Sequence, residues 1–205
     1  MPVISVVDYG MCNLGSIRNM LRKLGLDSEL AATPRAVAQA KKIILPGVGA
    51  YDHGVAALQE RGLIAPLQES VRVRGMPILG ICLGMQLLGE GSEEGTLPGL
   101  GLIGGKCVRF RFAEGSTLKV PHMGWNETVP RRTHPLLSGL ESNARFYFTH
   151  SYHVVCKDPS DVLAVASHGI EFTAIVQRNN IMGVQFHPEK SHRFGIMLLR
   201  NFGAI

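Results

Sequence analysis

Cys82 stands at the centre of ILGICLGMQLL (78–88), an apolar run that places a cysteine between two glycines. Cysteine is among the most often buried residue types, so a thiol that simply packs is the default reading. The layout points further. PILGIC reads as an apolar strand and LGMQLLGE as the helix that follows it, which is the arrangement of a nucleophile elbow, the thiol counterpart of G-x-S-x-G. Glycines two residues to either side, Gly80 and Gly84, permit the close approach of strand and helix that so sharp a turn needs. A thiol there would lie near a helix N-terminus, where exposed N–H groups favour thiolate. The N–H of Leu83 would then point at an oxyanion formed by attack on a carbonyl. The C-terminal end of a central parallel strand is also where α/β sheets place their sites.

A nucleophile needs a base, and the base an orienting group. GVQFHPEKS (183–191) offers both, with His187 and Glu189 two residues apart. In extended chain such residues project to one side, so Glu189 would hold the His187 ring while that ring takes the thiol proton. A plain surface pair after a strand is the bland alternative for any lone H-x-E. LPGVGAYDHG (45–54) is a third element: glycines directly after an apolar strand allow a turn that presents N–H groups to a ligand. Phosphate is a rival ligand for such a turn, but G-x-x-x-x-G-K-[ST] is absent, so a phosphate loop is excluded.

Elements to position these groups are readable along the chain. VISVVDYG (3–10) reads as a buried strand, followed by a helix with Leu14, Ile17, Leu21 and Leu24 on one face and Gly25 as its C-cap. SEL (28–30) is a weaker strand and KKIILPG (41–47) a strong one, with helical patterns around 52–61 and 64–74. Strand and helix in alternation imply a mostly parallel sheet covered on both faces. The second half is strand-rich: KCVRFRF (106–112), RFYFTHSYHVV (145–155), VLAVAS (162–167), TAIVQRN (173–179) and IMGVQFH (181–187). Asn179-Asn180 marks a tight hairpin, and SHRFGIMLLRNF (191–202) a closing helix with Ser191 as N-cap. The expectation is one α/β domain over 1–205, with a mixed, mostly parallel central sheet and helices on both faces.

Composition narrows the function classes. With 205 residues, 45% hydrophobic and 18% charged, the chain fits a single well-cored globular domain. No apolar run reaches membrane-span length and no secretory leader is visible, so the expected location is the cytoplasm. Four cysteines at 12, 82, 107 and 156 lack metal or disulfide spacing, so no metal site is expected. The net charge of +5 is spread along the chain without a basic run, which argues against a nucleic-acid module.

G-I-C-L-G-M-Q, F-H-P-E and the P-G-V-G turn resemble the class I (triad) glutamine amidotransferases. The likeness spans the whole chain, including DYGMCNLGS near the start. HMGWN (122–126), FYFTHSY (146–152) and HPEKS are similar to the glutaminase subunits of imidazole glycerol phosphate synthases. The resemblance implies that Cys82 attacks the side-chain amide of L-glutamine, giving a glutamyl thioester and ammonia. His187 would act as base and then acid, with Glu189 orienting it. It puts the oxyanion hole on Leu83 and on Val48 or Gly49, the glutamine head group on Gln86 and Glu94, and main-chain contacts on Ser151 and Tyr152. No cofactor is implied. The implied partner is a cyclase subunit of (β/α)8-barrel fold, forming a heterodimer through Pro121, His122, Met123, Trp125, Asn126 and, at the rim, Lys190. Trp125, the only tryptophan, is independently a reasonable interface anchor.

GVGAYDHG and SHRFG also resemble paralogues encoded with surface-polysaccharide enzymes, which would send ammonia to a different synthase, and Cys12 stands where many relatives have glycine. A binding subunit that merely keeps the fold has no need for three intact reactive groups. A cysteine peptidase or esterase-like hydrolase could use the same elbow, but Gln86 and Glu94 after it favour an amino-acid amide.

Overall fold

The structure, a computed structural model, describes residues 2–141 and 143–205. The first half runs β1 (Ile4–Val7), α1 (Leu14–Lys23), β2 (Ser28–Ala31), α2 (Pro34–Gln39), β3 (Ile43–Gly47), α3 (Tyr51–Glu60), α4 (Ile64–Arg72), β4 (Ile78–Cys82) and α5 (Leu83–Leu87). The second half adds β5 (Gly91–Ser92), β6 (Gly105–Arg109), β7 (His122–Glu127), β8 (Val129–Pro130), β9 (Arg145–His150), β10 (Tyr152–Cys156), β11 (Val162–His168), β12 (Ile170–Arg178), β13 (Ile181–Val184) and α6 (His192–Ala204).

The main sheet has the order β2-β1-β3-β4-β13-β12-β11-β8. Its first five strands pair in parallel, and β12, β11 and β8 continue it antiparallel. Alternate side chains along the strands feed two cores, because successive residues of a strand point to opposite faces. Ile44, Leu79 and Val184 pack with Ile17 and Leu21 of α1 and Leu198, Leu199 and Phe202 of α6. Ile43, Leu45 and Ile78 pack with Val37, Val55, Leu67 and Leu87 from α2, α3, α4 and α5. Each of these buried apolar side chains contributes about 2 kcal/mol of hydrophobic stabilisation. Helices therefore cover both faces, as expected for an α/β chain. Among the described residues no helix is long and apolar enough to cross a membrane.

Several elements differ from the pattern in the sequence. The run 145–155 is two strands, not one: it breaks at Ser151, so that β9 pairs with β7 while β10 pairs with β6. The strand expected over 106–112 ends at Arg109, and that expected over 181–187 ends at Val184. Four elements, α2, β5, β7 and β8, lie outside the expected pattern. α2 has only Val37 buried, although Thr33 caps it and Pro34 opens it. β7 contains the glycine of HMGWN. Asn179, at φ +51°, closes the expected β12–β13 hairpin, with Arg178 opposite Ile181.

Candidate active site

β4 lies between β3 and β13, so its C-terminal end opens near the middle of the eight-stranded sheet. Cys82 is its last residue and the N-cap of α5, with φ +53° and ψ −111°. A non-glycine residue at positive φ is strained backbone that surrounding structure must hold. The flanking glycines show what holds it. A Cβ on Gly84 would overlap the carbonyl oxygen of Leu45, and one on Gly80 would lie 2.7 Å from Gly84 O and from Met85 N. Strand and helix thus touch backbone to backbone, and the thiol is held 7% exposed at their junction.

His187 and Glu189 follow β13. Nδ1 of His187 is 2.8 Å from Oε1 of Glu189, and the ring is buried. Ser191 fixes the segment: its hydroxyl donates to His187 O at 2.6 Å and accepts from Tyr147 N–H at 3.0 Å, while His187 N–H donates to Tyr147 O at 2.9 Å. Ser191 is the N-cap of α6, as expected, but its side chain makes no capping bond because it is spent on this segment. Among the described residues, Nε2 of His187 has no hydrogen-bond partner. Burial works against charge on the ring, but Cys82 and Glu189 outweigh it and push the pKa up to about 10. Both the Glu189 carboxylate and the Cys82 sulfur therefore favour the charged form of the ring.

Beside Cys82 lies a cavity of about 220 Å³, lined among others by Val48, Gly49, Leu83, Gln86, Glu94, Ser151 and Tyr152. The expected oxyanion and head-group residues therefore share one pocket with the thiol. Its size is below the 300–1,000 Å³ usual for drug-sized ligands and fits a small metabolite. Gln86 is buried, with Nε2 donating to Tyr152 O at 3.1 Å and to Gln185 Oε1 at 3.2 Å. Glu94 accepts the N–H of Tyr51 at 2.9 Å, so its carboxylate sits on the N-terminus of α3. Val48 N–H donates to Met11 O at 2.6 Å and is engaged there in this conformation. Gly49, at φ +119°, gives that turn a backbone open to glycine alone.

A second cavity, about 400 Å³, lies on the other side of the turn and is lined by Cys12, Val48, His187, Glu189 and Lys190 among others. Met123 and Trp125 of the expected interface are exposed, at 63% and 42%, and Pro121 is exposed as well. Lys190 lies over the Tyr147 ring at 5.6 Å, and the Trp125 indole stacks on His192 at 5.3 Å. Two residues of that expected surface turn inward. His122 is buried, 3.1 Å from His150 Nε2, and Asn126 donates to Ser167 O at 2.7 Å. Both face the rear of β7, because a strand alternates its side chains.

Two further residues, Gln185 and Asp52, brace the site. Gln185, wholly buried, donates through Nε2 to Cys82 Sγ at 3.9 Å; a glutamine inside GVQFH was a signal for it. Asp52 accepts N–H bonds from Thr96 at 2.9–3.0 Å and Leu97 at 3.0 Å, tying the loop after Glu94 to α3. Those backbone bonds hold its carboxyl below its ordinary pKa. Nothing local in the sequence marks this long-range tie.

The family described as glutamine amidotransferase class-I matches residues 5–204. The chain belongs to that family. Among curated relatives, imidazole glycerol phosphate synthase subunit HisH 2 of Pseudomonas aeruginosa is 48% identical over 98% of both chains. Imidazole glycerol phosphate synthase subunit HisH of Bdellovibrio bacteriovorus is 47% identical over 99% of this chain and 100% of its own. In fold, this amidotransferase matches PurLQS from Thermotoga maritima with a TM-score of 0.75 at 20% identity, covering 98% of this chain and 97% of that one.

Proposed function

We propose that this amidotransferase is the glutaminase subunit of an imidazole glycerol phosphate synthase. It hydrolyses L-glutamine to glutamate and ammonia and passes the ammonia to a (β/α)8-barrel cyclase, for the synthesis of imidazole glycerol phosphate. Full-length relatives that carry that name support the assignment. The observation that carries the chemistry is the buried His187 ring, held 2.8 Å from the Glu189 carboxylate, with the Cys82 sulfur and that carboxylate both favouring its charged form.

The reaction follows from these groups. The Cys82 thiolate attacks the side-chain carbonyl carbon of glutamine, and the negative oxygen falls to the N–H of Leu83 at the start of α5. His187 gives its proton to the amide nitrogen as the C–N bond breaks, so ammonia leaves and a glutamyl thioester remains. Water, deprotonated by the now neutral His187, cleaves the thioester. Glu189 keeps the ring oriented and stabilises its charged form. Gln86 and Glu94 hold the amino-acid end of the substrate. The turn at Val48 supplies a second oxyanion donor once its peptide releases Met11 O. Seating the cyclase on the surface around Met123 and Trp125 is what would favour that release.

The test uses the complex with its cyclase. Cys82→Ala should abolish glutamine-dependent synthesis, by about a thousandfold or more, while synthesis from free ammonium salts continues. Normal use of glutamine by the variant would show that another residue is the nucleophile.

A further inference from the structure

Between the expected partner surface and the glutamine pocket, β7, β9 and β10 enclose two buried histidines whose hydrogen bonds form an unbroken chain. Nδ1 of His150 lies 2.8 Å from Tyr152 O, its Nε2 lies 3.1 Å from His122 Nδ1, and His122 Nε2 lies 3.2 Å from Asn126 Nδ2. A carbonyl only accepts, so His150 Nδ1 carries a proton and donates. His150 Nε2 in the neutral ring is then the acceptor, so His122 Nδ1 donates to it. His122 Nε2 is left as an acceptor for Asn126, whose amide nitrogen also donates to Ser167 O. One assignment satisfies every bond: both rings neutral, both carrying their proton on Nδ1.

The surroundings enforce neutrality. Phe110, Phe148 and Phe172 pack around His150 with centroids 5.2, 5.7 and 5.2 Å away. His122 stacks on His168 at 4.4 Å, and His168 donates through Nε2 to Lys119 O. Burial, with His168 beside it, pushes the His122 pKa down to about 4; burial takes His150 down to about 3 against the opposing pull of the Tyr152 carbonyl. A second proton on either ring would set N–H against N–H within the chain.

The chain ends on an atom of the pocket. Tyr152 O accepts from His150 and also from Gln86 Nε2, and Gln86 in turn reaches Gln185, whose amide contacts the Cys82 sulfur. We propose that His122 and His150 are positioning residues for glutamine: a one-way hydrogen-bond chain running from Asn126, beside the exposed Trp125, fixes the Tyr152 carbonyl and through it the Gln86 amide. His122 touches nothing in the pocket and acts through His150. The proposal rests on the glutaminase reading and assigns a role to residues that reading does not use.

The experiment compares wild type, His122→Leu and His122→Asn in the complex with the cyclase, and pairs kinetics with ring-nitrogen NMR. Asparagine returns a donor to the Nδ1 position and leucine does not. His122→Leu should raise the KM for glutamine by about tenfold, the equivalent of one net hydrogen bond, with a smaller change in kcat and none in ammonia-dependent synthesis. His122→Asn should recover most of that loss. The wild-type spectrum should show both rings neutral and protonated on Nδ1 at pH 7, a readout that stands even if the leucine variant fails to fold. An Nε2-protonated or doubly protonated ring, or equal KM values in all three proteins, overturns the proposal while leaving the glutaminase reading intact. A wild-type complex without glutamine-dependent synthesis overturns that reading, and this proposal with it.

Discussion

The two halves of the candidate catalytic pair are held in place by different physics. Cys82 is positioned by backbone: a strained φ of +53°, with Gly80 and Gly84 letting β4, α5 and β3 touch without side chains between them. His187 is positioned by side chains: the Glu189 carboxylate on its ring and the Ser191 hydroxyl on its carbonyl. Steric placement is all or none, because overlapping atoms cannot share space. Hydrogen-bond placement is graded, because each bond contributes about 1 kcal/mol and can be lost singly. The thiol side should therefore break abruptly and the histidine side by degrees.

The largest effect is expected at Gly84→Ala. Its Cβ overlaps the Leu45 carbonyl, so β3 and α5 must part, at a cost of about 3 kcal/mol or more in chemical denaturation. Near-wild-type stability would mean the elbow is not sterically set. Glu189→Gln should come next, leaving the fold intact but lowering glutamine-dependent turnover by about a hundredfold, since an amide cannot stabilise the charged ring. Unchanged turnover would remove Glu189 from the account. Ser191→Ala should be milder, about 1 kcal/mol of stability and a few-fold in turnover, because only the backbone of His187 and Tyr147 loses a partner.

The smallest and most diagnostic effect is with pH. His187 is raised to about 10 in the folded protein, so its contribution is fully present below the unfolded value of about 6.5 and is lost as pH climbs through about 10. His122 and His150 run the other way. Their folded values are depressed, so their contribution is present above about 6.5 and is lost as pH falls toward 4. Thermal unfolding across that range should show stability falling at both ends. Removing His187 should flatten the alkaline limb, and an unaltered alkaline limb in His187→Gln would contradict the charged-ring description.

The same contrast explains what was legible in the sequence. Backbone-driven features announce themselves locally: G-I-C-L-G gives the elbow, H-P-E the base and its orienting group, and the alternation of apolar runs the parallel sheet. The short α2 was hidden because one buried valine makes no periodic stripe, though Thr33-Pro34 was a start signal. The break at Ser151 was hidden because FYFTHSYHVV stays strand-like throughout, and only the two different partners of β9 and β10 reveal it. Side-chain ties such as Asp52 to Thr96, or His122 to His150, join residues that no local pattern links. The resemblance puts His122 on the partner surface with Met123 and Trp125, but the pleat of β7 turns its side chain inward.

The central claim is that Cys82 carries the glutamyl group. The most direct measurement is mass spectrometry of the complex with its cyclase, quenched in acid during turnover of glutamine. The account predicts one glutamyl adduct, on the peptide that contains Cys82, and its loss in Cys82→Ala. An adduct on any other residue, or sustained turnover by Cys82→Ala with no adduct at all, would contradict it.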